Sequence, residues 1–384
     1  MFNFDLNPEK LKFDKPYLIT TCILMVLGLI ILYSASPYMA EARYNNPYMF
    51  IFGQLKNILI GLTAAAFIYF FIDYRELKKF SFFFIFVFIL LLVFTKIYGD
   101  LSSGFRSSRW LPLGFFNMQT SEFAKLALII YIASFYDRHE DKLEDFQSGF
   151  LPPMLIMFIT IFLIFIEPDF STGAVIGAIA AVTMFIGGAK LRHLSIFGIL
   201  FIVVSVIVII KSPYKIERLT SMFNPTKDLS GSGYQLHQSL ISLGNGGIFG
   251  QGLGNGVQKE LFLPDCHTDF IFSVVGEEMG FVFSTLILGG YLYLFWRGIK
   301  IAMRAPDKFG KLLAISLNVS IFTYVLINVG VVCGILPVTG LPLPFMSYGG
   351  SAMLYNLMAI GLVLNISKYS EQQKDYRRDY IINA

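Results

Sequence analysis

Ten long apolar runs alternate with polar breaks along the chain, near residues 17–33, 50–72, 80–97, 122–136, 151–166, 172–188, 191–211, 270–296, 311–333 and 351–367. Most approach or exceed the roughly 20 residues a helix needs to cross about 30 Å of hydrocarbon. Within them apolar residues are near-continuous rather than alternating, as expected for helices surrounded by lipid and other helices. The pattern predicts an all-α polytopic membrane protein of about ten transmembrane helices. One hydrophilic stretch, 212–268, is long; it lies between the seventh and eighth runs. The fifth and sixth runs are separated by Glu167-Pro-Asp-Phe-Ser171, too polar to lie mid-span, with Pro168 as a helix terminator.

Composition supports this reading. The 384 residues are 55% hydrophobic and 15% charged, with a mean hydropathy of +0.64. A soluble protein carries about a quarter charged residues. Lys10, Lys12 and Lys15 before the first run and Ser34-Ala-Ser36 after it imitate a signal peptide. The run is long and many more follow, so it is expected to be retained. Cys22, Cys266 and Cys333 are too few and too scattered for a disulfide framework or a zinc site.

Charge placement predicts orientation. With both ends cytoplasmic, the inner segments hold Arg75, Lys78, Lys79, Arg138, Lys142, Lys190, Arg192, the cluster Arg297 to Lys311, and Lys368 to Arg378; the outer loops hold little beyond Arg43, Arg106 and Arg109. This bias places 212–268 outside. The expected organisation is a cytoplasmic tail (1–16), a ten-helix membrane domain (17–367, with 212–268 as a large extracytoplasmic loop) and a cytoplasmic tail (368–384).

Candidate chemistry gathers on the outer face. In Leu261-Phe-Leu-Pro-Asp-Cys-His-Thr-Asp-Phe270, Asp265, His267 and Asp269 crowd the entry to an apolar helix, where ionisable groups are costly. Thr268 is a plausible N-cap there and Asp269 a first-turn carboxylate. Glu277 and Glu278 follow, about 12–14 Å further along at 1.5 Å per residue; buried, they need a partner such as Lys125 or a proton. Arg109-Trp110 precedes Ser121-Glu-Phe-Ala-Lys125, where Thr120 or Ser121 can cap a helix and Glu122 and Lys125 can pair three residues apart; Arg109 and Lys125 also suit an anionic headgroup, with Trp110 at the interface. Asp169 reads equally as a helix cap and as a site residue. The glycine-dense Gly244–Gly256 lacks the spacing of a nucleotide loop and is expected to fold tightly on the membrane surface. Gly334–Ser351, apolar but broken by three prolines, is expected to be a rigid wall of a site.

These motifs, His267-Thr-Asp-Phe-Ile-Phe272 with Gly276-Glu-Glu278 and Leu336–Phe345 with Ser347-Tyr-Gly-Gly-Ser351 above all, resemble the SEDS family of membrane peptidoglycan glycosyltransferases, represented by RodA and FtsW. The resemblance runs from Leu32-Tyr-Ser-Ala-Ser36 to the tenth run. Gly252-Leu-Gly-Asn255 with Gln258-Lys259 and the ending Leu364-Asn-Ile-Ser367 are closer to the FtsW branch. Thr120 stands where the family usually has Pro, and Asp265-Cys266 where Glu is usual.

The resemblance implies that lipid II is polymerised into β-1,4-linked glycan with inversion, undecaprenyl pyrophosphate leaving, in septal synthesis at the bacterial inner membrane. It implies Asp269 as base, with Glu122 and Lys125 as further catalytic residues, and Arg109, Trp110, Asp169, His267, Thr268, Glu277, Pro344, Ser347 and Gly349 around the substrate. A class B penicillin-binding protein and other divisome membrane proteins would be partners; no nucleic acid is implied. A divalent cation, Mg or Mn, is left open, since no ligand cluster is evident. A RodA-type role in elongation and a lipid II flippase are the competing readings; a division scaffold is compatible with an enzyme.

Overall fold

The computed structural model describes residues 13–101, 109–112, 114, 117–143, 145–167, 169–223 and 231–383. Arg106 and Pro168 lie outside this set. Helices α1 (Lys15–Ala35), α2 (Pro37–Tyr44), α3 (Met49–Phe71) and α4 (Tyr74–Leu101) are followed by a two-stranded hairpin, β1 (Trp110–Pro112) and β2 (Asn117–Gln119). Then come α5 (Thr120–Arg138), α6 (Leu151–Ile166), α7 (Phe170–Gly187), α8 (Leu191–Ile210), α9 (Pro213–Phe223), α10 (Ser232–Gly246), α11 (Ile271–Met303), α12 (Lys308–Val332) and α13 (Gly350–Asn383). Every predicted apolar run is a helix. Among the described residues, eight helices are long and apolar enough to cross a membrane; α5 is not one of them, and α8 counts as a shorter apolar helix.

The exception of α5 has a physical reason. Its residues from Thr120 to Ser134 are all buried, Glu122 and Lys125 included. A helix surrounded by other helices can carry polar groups provided each finds a partner. The lipid-facing helices look different. Phe82, Phe83, Phe86 and Phe94 on α4, and Ile199, Ile202 and Ile210 on α8, are left exposed on the outside of the bundle.

Small residues and polar side chains set the helix contacts. Gly361 on α13 meets the backbone of Ala65 on α3, and a Cβ there would come within 2.9 Å of it. Asn365 Nδ2 donates to the carbonyls of Ile68, Tyr69 and Ile72 at 3.2, 3.1 and 2.8 Å, and so closes the C-terminus of α3. Asp14 caps α1 and pairs with Arg297 of α11 at 2.8 Å.

The long segment before α11 is tied to it by backbone. Gly280, with φ 73°, breaks α11. The groups freed by the break are taken up by the glycine-rich coil. Gln251 and Gly252 donate to the Glu277 and Glu278 carbonyls at 3.0 and 2.9 Å, while Phe281 and Val282 donate to Gly247 and Ile248 at 3.0 and 3.1 Å. Glycine is needed on both sides: a Cβ on Gly246 would stand 1.9 Å from the Gly276 oxygen, and one on Gly280 would stand 2.2 Å from the Gly250 nitrogen.

The same coil supplies the acids of α11 with partners. Lys259 Nζ lies 2.5 Å from Glu278, and Ser34 of α1 lies 2.7 Å from it. Glu277 accepts from the backbone of Val257 and Gln258 and from Ser242, each at 3.2 Å. The expectation that Lys125 might serve these acids is therefore corrected. We expect Gly280→Ala to lower stability by about 2–4 kcal/mol. Thermal unfolding of the detergent-solubilised protein, with proteolysis of the 247–256 coil, measures it.

Candidate active site

Chain segments remote in sequence meet around a cavity of about 830 Å³. Arg109, Trp110, Gln119 and Glu122 come from the hairpin and the start of α5; Asp169 to Val175 from α7; Lys215, Arg218 and Leu219 from α9. Asp269 and Leu336–Pro342 complete the wall. The expected site residues Arg109, Trp110, Glu122, Asp169 and Asp269 thus share one space, and the proline-rich segment is its wall.

The approach to Asp269 is not the helix start expected. Helix α11 begins at Ile271, two residues later, and has no side-chain cap; Thr268 Oγ1 donates to the Asp265 carbonyl at 3.1 Å instead. Asp265 has φ 55°, and its carbonyl also accepts the Thr268 and Phe270 amides, so a backbone turn takes the place of the predicted cap. Asn328 of α12 holds the segment from below. Its Nδ2 donates to the Asp269 carbonyl at 2.7 Å and to the Leu341 carbonyl at 2.8 Å. Ser347 adds a second tie, donating to the Thr268 carbonyl at 2.5 Å and accepting the Leu343 amide at 2.8 Å.

Burial pushes the Asp269 carboxyl up to about 7, with Asp265 adding to the rise and Arg218 and Arg109 opposing it. Loss of water is thus the main influence on this carboxyl.

Trp110 pairs with Gln119 across the hairpin, and Arg109, next to Trp110, joins Gln119 in holding Asp169 Oδ2, at 3.3 and 3.2 Å. Asp169 Oδ1 accepts the Thr172 amide at 3.3 Å, so Asp169 is at once the cap of α7 and a wall of the cavity. Glu167, which sequence reasoning passed over, is fully buried just behind it. Neither of its carboxyl oxygens has a hydrogen-bond partner. Burial first, then Asp169, push it up to about 8 against the pull of Arg109 and Lys96.

Glu122 faces the cavity while Lys125 sits behind it. Lys125 Nζ is 2.7 Å from Glu122 Oε2 and lies between two tyrosine rings, 4.0 Å from the centroid of Tyr324 and 3.7 Å from that of Tyr355. Tyr324 donates to Glu122 Oε1 at 3.1 Å. Glu122 and Lys125 thus pair as their spacing predicts, with Glu122 on the cavity side. The α5 caps are corrected as well: Gln119 holds the cap position without a side-chain bond, and the hydroxyls of Thr120 and Ser121 are buried without partners.

Other expected residues lie around the cavity rather than in it. His267 turns the opposite way from Asp269, onto Phe50, with ring centroids 4.2 Å apart; burial lowers it to about 4, so it is neutral. The Pro344 carbonyl accepts the Tyr291 hydroxyl. The Gly349 amide donates to Gln54 at 3.4 Å. Glu277 is held in the coil beneath α10, as described above. Thr268 and Ser347 shape the backbone on which Asp269 stands. Among the described residues no group of three or more His, Cys, Asp or Glu side chains could hold a metal ion.

Lys215 and Arg218 were missed because 212–268 was expected to be a loop, whereas Pro213–Phe223 is a helix. The signal available was their spacing: three residues apart, they share a helix face.

Fold and site together define a helical membrane protein with a cavity lined by carboxylates and cations. Residues 15–372 match the family model described as cell cycle protein, FtsW/RodA/SpoVE, and the chain belongs to that family. It is 40% identical to stage V sporulation protein E of Bacillus subtilis (strain 168), over 95% of this chain and all of that protein. It is 38% identical to the probable peptidoglycan glycosyltransferase FtsW of Geobacter sp. (strain M18), over 92% of this chain and 96% of the relative. Among solved structures it superposes with a TM-score of 0.77 and 26% identity on a chain of a peptidoglycan synthase complex that coordinates polymerization and crosslinking, covering 94% of this chain and 99% of that one.

The raised Asp269 carboxyl carries a stability signature. The folded chain keeps a proton that the unfolded chain releases above about pH 4. Stability is therefore lost as pH rises from there through about 7. Asp269→Asn should raise the melting temperature, more at pH 8 than at pH 5, as thermal unfolding at the two values will report.

Proposed function

We propose that this chain is a peptidoglycan glycosyltransferase that polymerises lipid II into β-1,4-linked glycan strands with inversion at C1. The observation that carries the reading is the convergence on one cavity of Asp269, raised to about 7, with Arg109, Glu122 and Asp169. A base whose pKa lies near working pH is partly ionised and still strong enough to accept a proton. Asp269 takes the proton of the acceptor 4-hydroxyl as its oxygen attacks the donor C1. The bond from C1 to the pyrophosphate oxygen breaks, and its electron pair leaves with the pyrophosphate. Cations around the cavity stabilise that charge. Val175, Ile209, Ile327 and Leu336 give the cavity an apolar side suited to the isoprenoid.

The work is assigned to septal wall synthesis at the inner membrane, with both termini cytoplasmic, the cavity extracytoplasmic, and ten spans, counting α5 and α8. The FtsW relative supports the septal role, and the lysine and arginine bias supports the orientation. A class B penicillin-binding protein transpeptidase is the assigned partner within the division machinery; the likeness to a synthase complex that joins polymerization to crosslinking supports it. The 40% match to a sporulation protein favours a second setting for the same chemistry, wall synthesis in the developing spore. Depleting the chain separates them, by arrest at vegetative septation or only after sporulation begins.

Purified protein with its partner should convert lipid II into glycan, and Asp269→Ala should lower the rate by roughly 100-fold or more. Equal glycan from the variant, or none from wild type, would overturn the assignment. With Asp269 as base, the rate should fall about tenfold per pH unit below about 7, because only the ionised carboxylate accepts the proton.

A further inference from the structure

The cavity holds cations of two kinds. Arg109 is committed to Asp169 at 3.3 Å, and Lys125 to Glu122 at 2.7 Å, one layer behind the wall. Lys215 is different. Among the described residues no carboxylate lies within ion-pair distance of it; its ammonium instead stands 4.7 Å from the Phe170 ring centroid, on the cavity side of α9. Arg218, three residues further along the same helix, reaches across to the wall, where Nη1 donates to the Val338 carbonyl at 3.1 Å. That bond fixes α9 against the segment Leu336–Pro342, and so fixes where Lys215 points. Arg218 also acts on Asp269 more strongly than Arg109 does.

Charge decides which pole an anion would choose. A pyrophosphate entering at Arg109 meets Asp169, whose carboxylate lies 3.3 Å from the guanidinium and would repel it. At Lys215 it meets a cation whose described neighbour is an aromatic ring, which a phosphate displaces at little cost.

We propose that Lys215, on the helix Pro213–Phe223 anchored by Arg218, is the principal binding residue for the departing polyprenyl pyrophosphate, and that Arg109 serves Asp169 and the cavity wall. The assignment rests on the polymerase reading for the identity of the anion and replaces the Arg109–Lys125 pair that the sequence suggested.

Equilibrium binding of a polyprenyl diphosphate and of the uncharged polyprenol to the full-length protein in nanodiscs tests it without turnover. Lys215→Gln should weaken the diphosphate about tenfold and leave the polyprenol unchanged. Lys215→Arg should stay within about threefold of wild type, and Arg109→Gln should lose less than Lys215→Gln. Unchanged diphosphate binding in Lys215→Gln, equal loss of diphosphate and polyprenol, or a loss at Arg109→Gln as large as that at Lys215→Gln would each overturn the proposal. Selective diphosphate loss in Lys215→Gln from a wild type that makes no glycan would sink the polymerase reading alone. Glycan synthesis with wild-type diphosphate affinity in Lys215→Gln would sink only this assignment.

Discussion

Hydrocarbon offers no hydrogen bonds, so any break in a membrane helix must be filled by the protein itself. The break at Gly280 is the one on which this structure turns. It frees carbonyls at Glu277 and Glu278 and amides at Phe281 and Val282, and the glycine-rich coil answers all four with its own backbone. The match positions the coil, and the coil carries Lys259 onto Glu278 and the amides of Val257 and Gln258 onto Glu277. Only then can the chain continue through Asp265 to Asp269 with its carboxylate turned into the cavity. Two acids that would be ruinous unpaired are thereby the fastening of the outer layer.

A second consequence of scarce solvation is the layering of the site itself. Asp269, Asp169 and Glu122 all reach the cavity, yet each stands in a different environment. Asp169 is held by Arg109, Gln119 and a backbone amide; Glu122 by Lys125 and Tyr324; the Asp269 carboxylate accepts no hydrogen bond from the described residues and feels only the charge of Arg218 and Arg109. Three like side chains thus do three different things. The carboxylate without hydrogen-bond partners among the described residues is the one suited to take up a proton. Glu167, buried behind Asp169, is raised by the same loss of water and by the neighbouring carboxylate.

Much of this could be read from the residues. Helix positions followed from run length, since a bilayer dictates it, and the run 122–136 was found although its helix is too polar to pass as a lipid-facing span. Asp269, Glu122, Arg109 and Asp169 stood out as ionisable groups at apolar boundaries, and they do meet. What escaped were features set by tertiary contact. A glycine inside an apolar run gives no sign that it will adopt a positive φ, so the kink at Gly280 was invisible. The strands of the hairpin are three residues each, too short for alternation to register. Thr268 and Thr120 have the chemistry of caps, but the Asp265 turn and Gln119 took those positions. Lys125 could be paired with Glu122 from spacing, whereas which of the two faces the cavity depends on Tyr324 and Tyr355, some 200 residues away in the chain.

The amide of Asn328 deserves a last thought for what it means over evolutionary time. One side chain holds both the Asp269 carbonyl and the Leu341 carbonyl, and Ser347 repeats the connection from the other strand of the wall. The segments 265–270 and 336–347 are therefore not separate modules, although α11 and α12 intervene between them in the chain. A drift in either must be matched in the other or in Asn328. A chimaera that borrows the wall from a relative inherits a base in the wrong place unless it borrows the base's segment as well. Diversification of such a protein is channelled away from this knot and toward the surfaces that touch lipid and partners.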